Sequence, residues 1–303
     1  MQRPAKPFTP VRFRLQPPHD MKIGIIGYGF VGKSLHRGLK DSVTVMNIDP
    51  LLENNIEDLS NFNPNVIFIC VPTPMNEDKS QDITIIKSVI DEILHNNIDS
   101  LIALKSTVLP DHIKEIQSSI PRFVYNPEFL REKHADEDFI KSNLIVFGGN
   151  PENTHELAKI YKEYTKCICK EYIHTDATAA SLIKYTINSF LSLKVIFFNE
   201  LKSLFDESGS NESWSNFVDS LSRDIRIGSS HMQVPGHDGR LGYGGACLPK
   251  DANALNEYSI KLKNKLNLLD ASIKINNQLR SFYDVETQRE LDQNIKFTVD
   301  DNN

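Results

Sequence analysis

The sequence predicts an α/β fold: a doubly wound open sheet, then one long helix, then an all-helical domain. Two observations carry this. Between Met21 and Gly149 six short β-branched runs, KIGIIG, VTVMNID, NVIFICV, LIALKST, RFVYN and NLIVFGG, alternate with segments of helical spacing, the pattern of a parallel sheet with crossover helices. From Asp176 the strand signals cease, and neither Gly nor Pro interrupts the chain until Gly209.

Each element follows in order. Residues 1–20, MQRPAKPFTPVRFRLQPPHD, are rich in Pro and Arg and lack the apolar core of a secretory signal, so a flexible tail is expected before the first strand at Met21. The segments Ile83–Leu94 and Pro151–Thr165 begin near Asp or Pro, as helix starts do, and continue with apolar residues at helical spacing. The sheet domain is expected over 21–175. The helix that follows, Asp176 to Ser208, extends roughly 45 Å at 1.5 Å per residue. Its apolar residues cover most of its circumference, which predicts burial by its own domain and by a partner subunit, hence a homodimer. Further helices broken by a glycine-rich loop at 236–245 complete a central domain over 176–284, and 285–303 reads as a polar tail ending in disorder.

Composition bounds the function. A chain of 303 residues accommodates two domains, and its 40% hydrophobic and 24% charged residues are those of a globular protein. A net charge of −6 argues against broad electrostatic binding to nucleic acid or anionic lipid and favours a small-molecule partner. The longest apolar stretch, Leu182 to Phe205, contains Lys184, Lys194, Asn199, Glu200 and Lys202, so no membrane span is expected. Four scattered cysteines, Cys70, Cys167, Cys169 and Cys247, form no disulfide framework and fit a reducing, cytoplasmic compartment. Cys167 and Cys169 lack the second pair a zinc site needs, so no metal is expected. Cys70, inside VIFICV, reads as a buried small hydrophobe.

The first strand runs into Gly27-Tyr28-Gly29-Phe30-Val31-Gly32. This G-x-G-x-x-G lies where its mechanism requires, after a strand and at the start of a helix: the first glycine makes the turn, the second admits a pyrophosphate, and the third lets helix and strand pack. Asp49 ends the second strand, placed to accept hydrogen bonds from both adenine-ribose hydroxyls. The sheet is therefore expected to be Rossmann-type and to bind NAD rather than NADP. Val71-Pro72-Thr73-Pro74 and Thr107 lie at the carboxyl edge of the sheet, where ligands of such sheets bind.

A second set of residues suggests chemistry. Lys184 and Asn188, four apart on the long helix, share one face of an oily element. Either the lysine snorkels to solvent or the pair donates hydrogen bonds to an oxygen that becomes negative. In GYGGACLPKD, Gly244 and Gly245 are expected to let the chain approach a ligand, and Pro249 suits the first turn of a helix. Cys247 then sits at a helix start, where the dipole, Lys250 and Lys184 should favour thiolate over thiol. Asp251 can hold a water or orient the lysine. Asn126-Pro127-Glu128-Phe129-Leu130-Arg131-Glu132 offers Glu128 and Glu132, either a solvated pair or a base for water. A dinucleotide fold with a nucleophilic thiol points to oxidation of an aldehyde through a thiohemiacetal and a thioester.

Taken together, GYGFVG, VPTP, the KST of Lys105 to Thr107, NPEFLRE, the helix carrying Lys184 and Asn188 followed by FFNEL, DIRIG and GYGGACLPKD resemble the UDP-glucose/GDP-mannose dehydrogenase family in residues and order. The resemblance implies an NAD-dependent enzyme that oxidises the primary alcohol of a nucleotide sugar twice, to a uronic acid used in polysaccharide biosynthesis. It implies Cys247 as nucleophile, Lys184 and Asn188 as the oxyanion-stabilising pair, and Asp251 beside them. Glu128 and Glu132 fall on the family's acidic loop, and Thr107 on a threonine supporting the catalytic water. Tyr28, Phe30, Val31, Pro72, Thr73 and Lys250 are assigned to the cofactor. Tyr243, Gly244, Phe129, Leu130 and Arg226 are assigned to substrate, Arg226 reaching the neighbouring subunit. Family members continue into a second α/β domain that grips the nucleotide, and this sequence stops after the helical region.

Two other readings remain. The spacing of Ala180, Lys184 and Asn188 also fits a β-hydroxyacid dehydrogenase, which needs no thiol. A protein that binds NAD or a nucleotide sugar within an assembly and catalyses nothing is the third.

Overall fold

The first strand, β1 (Met21–Ile26), is central to the sheet domain because it alternates two sets of buried side chains. Ile23 and Ile25 join Val66, Phe68, Leu101, Ala103 and Val124 in one core. Ile26 joins Ile67, Ile69, Ile102, Leu104 and Tyr125 in another. A sheet buried on both faces needs apolar residues at every register position, which is why these strands read as continuous hydrophobic runs. The computed structural model describes residues 21–169 and 171–298; the expected tail at 1–20 lies outside the described residues.

The chain proceeds through α1 (Phe30–Gly38), β2 (Val43–Ile48), α2 (Asp58–Phe62), β3 (Val66–Ile69), α3 (Thr84–His95), β4 (Leu101–Leu104), α4 (Pro110–Ser119) and β5 (Phe123–Tyr125). It continues with α5 (Ala135–Ile140), β6 (Val146–Gly149), α6 (Pro151–Tyr164) and β7 (Ile173–Thr175). The strand order is β2-β1-β3-β4-β5-β6-β7. β2 and β3 lie on opposite sides of β1, so the sheet reverses direction of winding there and opens a crevice at the carboxyl ends of β1 and β3.

The expectation of an all-parallel sheet is corrected at β6, which pairs antiparallel with β5. The chain after β5 stays along the carboxyl edge, through the loop holding Glu128, a 3-10 turn at Glu132–His134 and α5 packed on α1. β6 therefore starts at the edge where β5 ends. β7 is a further edge strand that sequence reasoning missed; its three residues are short and none is buried.

Asp176 accepts a hydrogen bond from the Ala179 amide at 2.9 Å and starts α7 (Ala177–Glu207), while Ser208 closes it before Gly209 at φ +74°. Among the described residues α7 alone is long and apolar enough to cross a membrane by length and composition. Here it packs against α4, β6, α9 (Leu248–Lys261) and α10 (Asn267–Arg280). It buries Ser181, Lys184, Asn188, Ser189 and Ser192 against these elements. α8 (Trp214–Ser222) packs Trp214, Phe217 and Val218 around Phe198.

The polar tail expected over 285–303 is also corrected as far as residue 298, and its end at 299–303 lies outside the described residues. Thr287 caps α11 (Gln288–Leu291) in a reciprocal capping box with Glu290, and Glu290 and Ile295 are buried. The reason is tertiary: the Met75 amide donates to the Gln293 carbonyl at 3.1 Å, and Arg280 pairs with Glu290 at 2.6 Å. This segment thus touches both domains.

Candidate active site

The glycine turn after β1 is dictated by contact distances. Gly27 has φ +90°, and a Cβ there would lie 2.8 Å from the Cys70 carbonyl. A Cβ on Gly32 would collide with the Gly27 oxygen. A Cβ on Gly29, by contrast, meets nothing within 4 Å, so that glycine faces open space at the start of α1. Asp49 accepts hydrogen bonds from the amides of Tyr28 at 2.8 Å and Leu51 at 3.0 Å, which fixes a carboxylate beside the turn. An unobstructed helix N-terminus with an acid fixed beside the glycine turn fits NAD. Tyr28, Phe30 and Val31 are half-buried around it, and Pro72 is exposed at the rim.

Thr73 donates to the Thr107 carbonyl at 3.0 Å, and Gln81 donates to the same oxygen at 2.7 Å and to the Tyr185 hydroxyl at 2.9 Å. These bonds tie the two edge loops to α7. Thr73, Pro74, Gln81, Lys250 and Asp251 line a recess between the sheet domain and α9. Lys250 donates to Asp251 at 2.5 Å.

At the junction of the domains Lys184 is buried and donates to the Glu128 carbonyl at 2.6 Å and to its carboxylate at 3.1 Å, with the ammonium 5.4 Å from the Phe129 ring centre. The snorkelling alternative is overturned. Burial by itself lowers the affinity of this amine for its proton, but Glu128, Asp251 and Cys247 outweigh it, and the net effect is a raised pKa. Asn188 donates to Asp251 at 2.5 Å. The two residues one turn apart on α7 thus hold two different carboxylates.

Cys247 stands at the N-cap of α9, its carbonyl accepting from the Asp251 amide at 3.0 Å. The expectation of a thiolate is corrected. Desolvation, then Glu128 and Asp251, push the thiol up to about 11, and Lys250 and Lys184 only moderate this. The lysines are engaged by the carboxylates, so their charge reaches the sulfur largely cancelled.

Several assignments shift. Glu132 is not in the cluster; it pairs with Arg289, whose guanidinium lies 5.9 Å from the Phe30 ring centre. Phe129 and Leu130 pack their side chains on the two cores of the sheet domain, and the Leu130 amide donates to Glu128 at 2.5 Å. Tyr243 is 3% exposed with its phenol against Ser272, which leaves no side-chain surface for a sugar. A Cβ on Gly244 would strike Arg280 and Glu290, so packing alone already requires glycine there. Arg226 is exposed and paired with Asp224 at 2.5 Å, away from this subunit's cluster. Among the described residues no three His, Cys, Asp or Glu side chains gather as metal ligands.

Sequence reasoning missed Gln81, Asn199, Asn276, Arg280 and Glu290. Asn199 accepts from the Gly242 amide at 3.0 Å, Asn276 from the Tyr243 amide at 2.7 Å, and Glu290 from the Gly245 amide at 3.0 Å. Only Glu290 carried a signal, as the fourth residue of a Thr-x-x-Glu capping box.

The arrangement defines a class: a dinucleotide-binding sheet domain joined through one helix to a helical domain, with a thiol, an ammonium and two carboxylates gathered at their junction. The chain belongs to the UDP-glucose/GDP-mannose dehydrogenase family. The family's NAD binding domain matches residues 52–165 and its central domain residues 178–278, together well over half the chain. It is 36% identical over 244 residues to the UDP-glucose 6-dehydrogenase of Rickettsia bellii, covering 77% of this chain and 54% of that one. A Bacillus subtilis UDP-glucose 6-dehydrogenase is 29% identical over 304 residues, 85% of this chain and 66% of that one. The solved UDP-glucose dehydrogenase of Pyrobaculum islandicum superposes with a TM-score of 0.73 at 24% identity, over 87% of this chain and 70% of that one. The chain spans about half the length of the first Rickettsia relatives it matches.

Proposed function

We propose that this chain oxidises the C6 primary alcohol of a nucleotide sugar, of the UDP-glucose kind, twice to a uronic acid, with Cys247 as covalent nucleophile. The observation that carries the reading is the joining of Cys247, Lys184, Asn188, Glu128 and Asp251 in one cluster beside the recess lined by Thr73 and Lys250.

NAD, held by the turn Gly27–Gly32 and by Asp49, supplies a hydride acceptor when bound. The protein's own groups do the rest. Lys184 and Asn188 hold the C6 oxygen while its proton passes through Lys184 to Glu128 and the C6 hydrogen would leave as hydride to the bound cofactor, so that the carbon becomes an aldehyde. The sulfur of Cys247 then adds to that carbon: a C–S bond forms, the carbonyl π pair moves to oxygen, and the sulfur's proton reaches that oxygen through the hydrogen-bonded Glu128–Lys184 pair. The second oxidation, after the reduced cofactor has been exchanged for a second NAD, would remove the O–H proton by the same route and the remaining hydrogen as hydride to that cofactor, leaving a thioester. Water, with Glu128 accepting its proton, attacks the thioester carbon; the C–S bond breaks, the thiol returns and the uronic acid departs. Glu128 is preferred to Glu132 because it is buried against Lys184.

The long helix supports pairing of two copies. Phe190, Phe197 and Leu204 recur every seven residues and are 63%, 58% and 64% exposed, an apolar stripe suited to a symmetric partner, and Arg226 projects outward where a second subunit can use it. The four free cysteines suit a reducing cytoplasm.

Incubation with NAD and a panel of UDP- and GDP-sugars is expected to give two NADH per sugar acid for one of them and none with Cys247→Ala. Full turnover of Cys247→Ala on a small hydroxy acid would replace this reading with a β-hydroxyacid dehydrogenase. Tight NAD binding without any turnover by the folded wild type would replace it with a non-catalytic binding protein.

A further inference from the structure

Gly242 to Gly245 form a loop with three positive or crowded glycines directly before the nucleophile, and such a chain does not hold its own shape. Gly242 and Gly245 have φ of +72° and +79°, and glycine backbone is the least restrained of all. The loop is instead held from behind by side chains. Asn199 holds Gly242, Asn276 holds both the amide and the carbonyl of Tyr243, and Glu290 accepts from Gly245 two residues before Cys247.

Glu290 differs from the other two anchors. Its side chain is fully buried and carries charge, and every partner it has is fixed. The same Oε1 that takes the Gly245 amide takes Arg280 at 2.6 Å, and Oε2 takes the amide and hydroxyl of Thr287 at 2.7 and 2.9 Å. Arg280, 1% exposed, is in turn paired with Asp238 at 2.8 Å. A buried carboxylate with this number of donors has one orientation available. It also lies beyond residue 278, where the match to the family's central domain ends.

We propose that Glu290, oriented by Arg280 and Thr287, is a positioning residue for Cys247: it fixes the Gly245 backbone and so the place and depth of the sulfur. The inference rests on the reading of Cys247 as nucleophile. Replacing the carboxylate frees the loop and lets the thiol turn toward water, so alkylation and turnover change in opposite directions.

The test compares wild type, Glu290→Gln and the milder Thr287→Val, which keeps the carboxylate but removes one of its donors. Iodoacetamide labelling of intact protein, read by peptide mass spectrometry, is expected to speed up about fivefold or more at Cys247 in Glu290→Gln, with Cys70 unchanged as the internal control for global opening. Thr287→Val is expected to show a smaller effect of the same sign. NAD affinity is expected to stay within about twofold while kcat on the sugar falls about tenfold or more. Equal labelling of Cys247 in all three proteins, or acceleration at Cys70 and Cys247 alike, overturns the proposal; the latter result also decides the case if Glu290→Gln folds poorly. Labelling needs no turnover, so an inactive wild type would count against the enzymatic reading and leave the positioning result standing on its own.

Discussion

The Lys184 ammonium is held by Glu128 twice, through its main-chain oxygen at 2.6 Å and its carboxylate at 3.1 Å, with the two side chains 3% and 8% exposed. One residue comes from the helix that links the domains and the other from the loop after β5. The bond therefore locks the domain junction and poises a proton donor beside a proton acceptor.

Removing one partner strands the other. Lys184→Met is expected to cost about 3–5 kcal/mol in denaturant unfolding, because a buried carboxylate loses its counter-charge, and the double variant Lys184→Met/Glu128→Gln is expected to recover a large part of it. Additive losses in the double variant would show that the pair is not coupled.

The thiol at position 247 is half-buried beside two carboxylates that raise its pKa. Its labelling rate by iodoacetamide is expected to keep rising through pH 9 toward a midpoint at about 11, because burial and two carboxylates favour the protonated form. A plateau reached below pH 8 would contradict this. Cys70, whose thiol burial pushes up to about 12, is expected to react more slowly still.

Gly29 and Gly32 answer different demands. Gly29→Ala adds a methyl that meets no protein atom, so the melting temperature is expected to be unchanged while NAD binding weakens about tenfold or more, the methyl taking the space of a pyrophosphate. Gly32→Ala is expected to lower the melting temperature as well, since its methyl strikes the Gly27 carbonyl. Calorimetry and thermal melts of the two variants separate the cases.

Glu290 gives a pH signature. Burial alone would raise its pKa, but the amides of Thr287 and Gly245 and the Arg280 guanidinium together hold it below its ordinary value of 4.5. Its folded value is depressed, so the stability it contributes is present above about pH 4.5 and is lost as the pH falls through the folded value. The stability advantage of wild type over Glu290→Gln is therefore expected at pH 7 and expected to shrink in acid; an advantage independent of pH would point to packing instead.

Legibility followed range. Strands β1 to β6, the turn Gly27–Gly32 and the bounds of α7 were readable because local rules set them: β-branched runs, glycine spacing, an Asp cap and a terminal Gly. The direction of β6 was not, since an antiparallel strand and a parallel one carry the same apolar pattern, and only the path of the chain along the carboxyl edge distinguishes them. Cys247, Lys184, Asn188, Asp251 and Glu128 could be named as candidates by residue type, but which carboxylate faces which donor could not.

By itself the sequence determined the elements and the chemical groups: a glycine turn for an anion, an amine and an amide one turn apart, a thiol at a helix start. Tertiary structure decided what those groups are. Lys184 became a buried partner of Glu128, the sulfur came to lie beside carboxylates that raise its pKa, and a segment that looked like loose tail became the support of the glycine loop. The physical reason is that burial and charge pairing are properties of neighbours far apart in the chain, which no short window of residues contains.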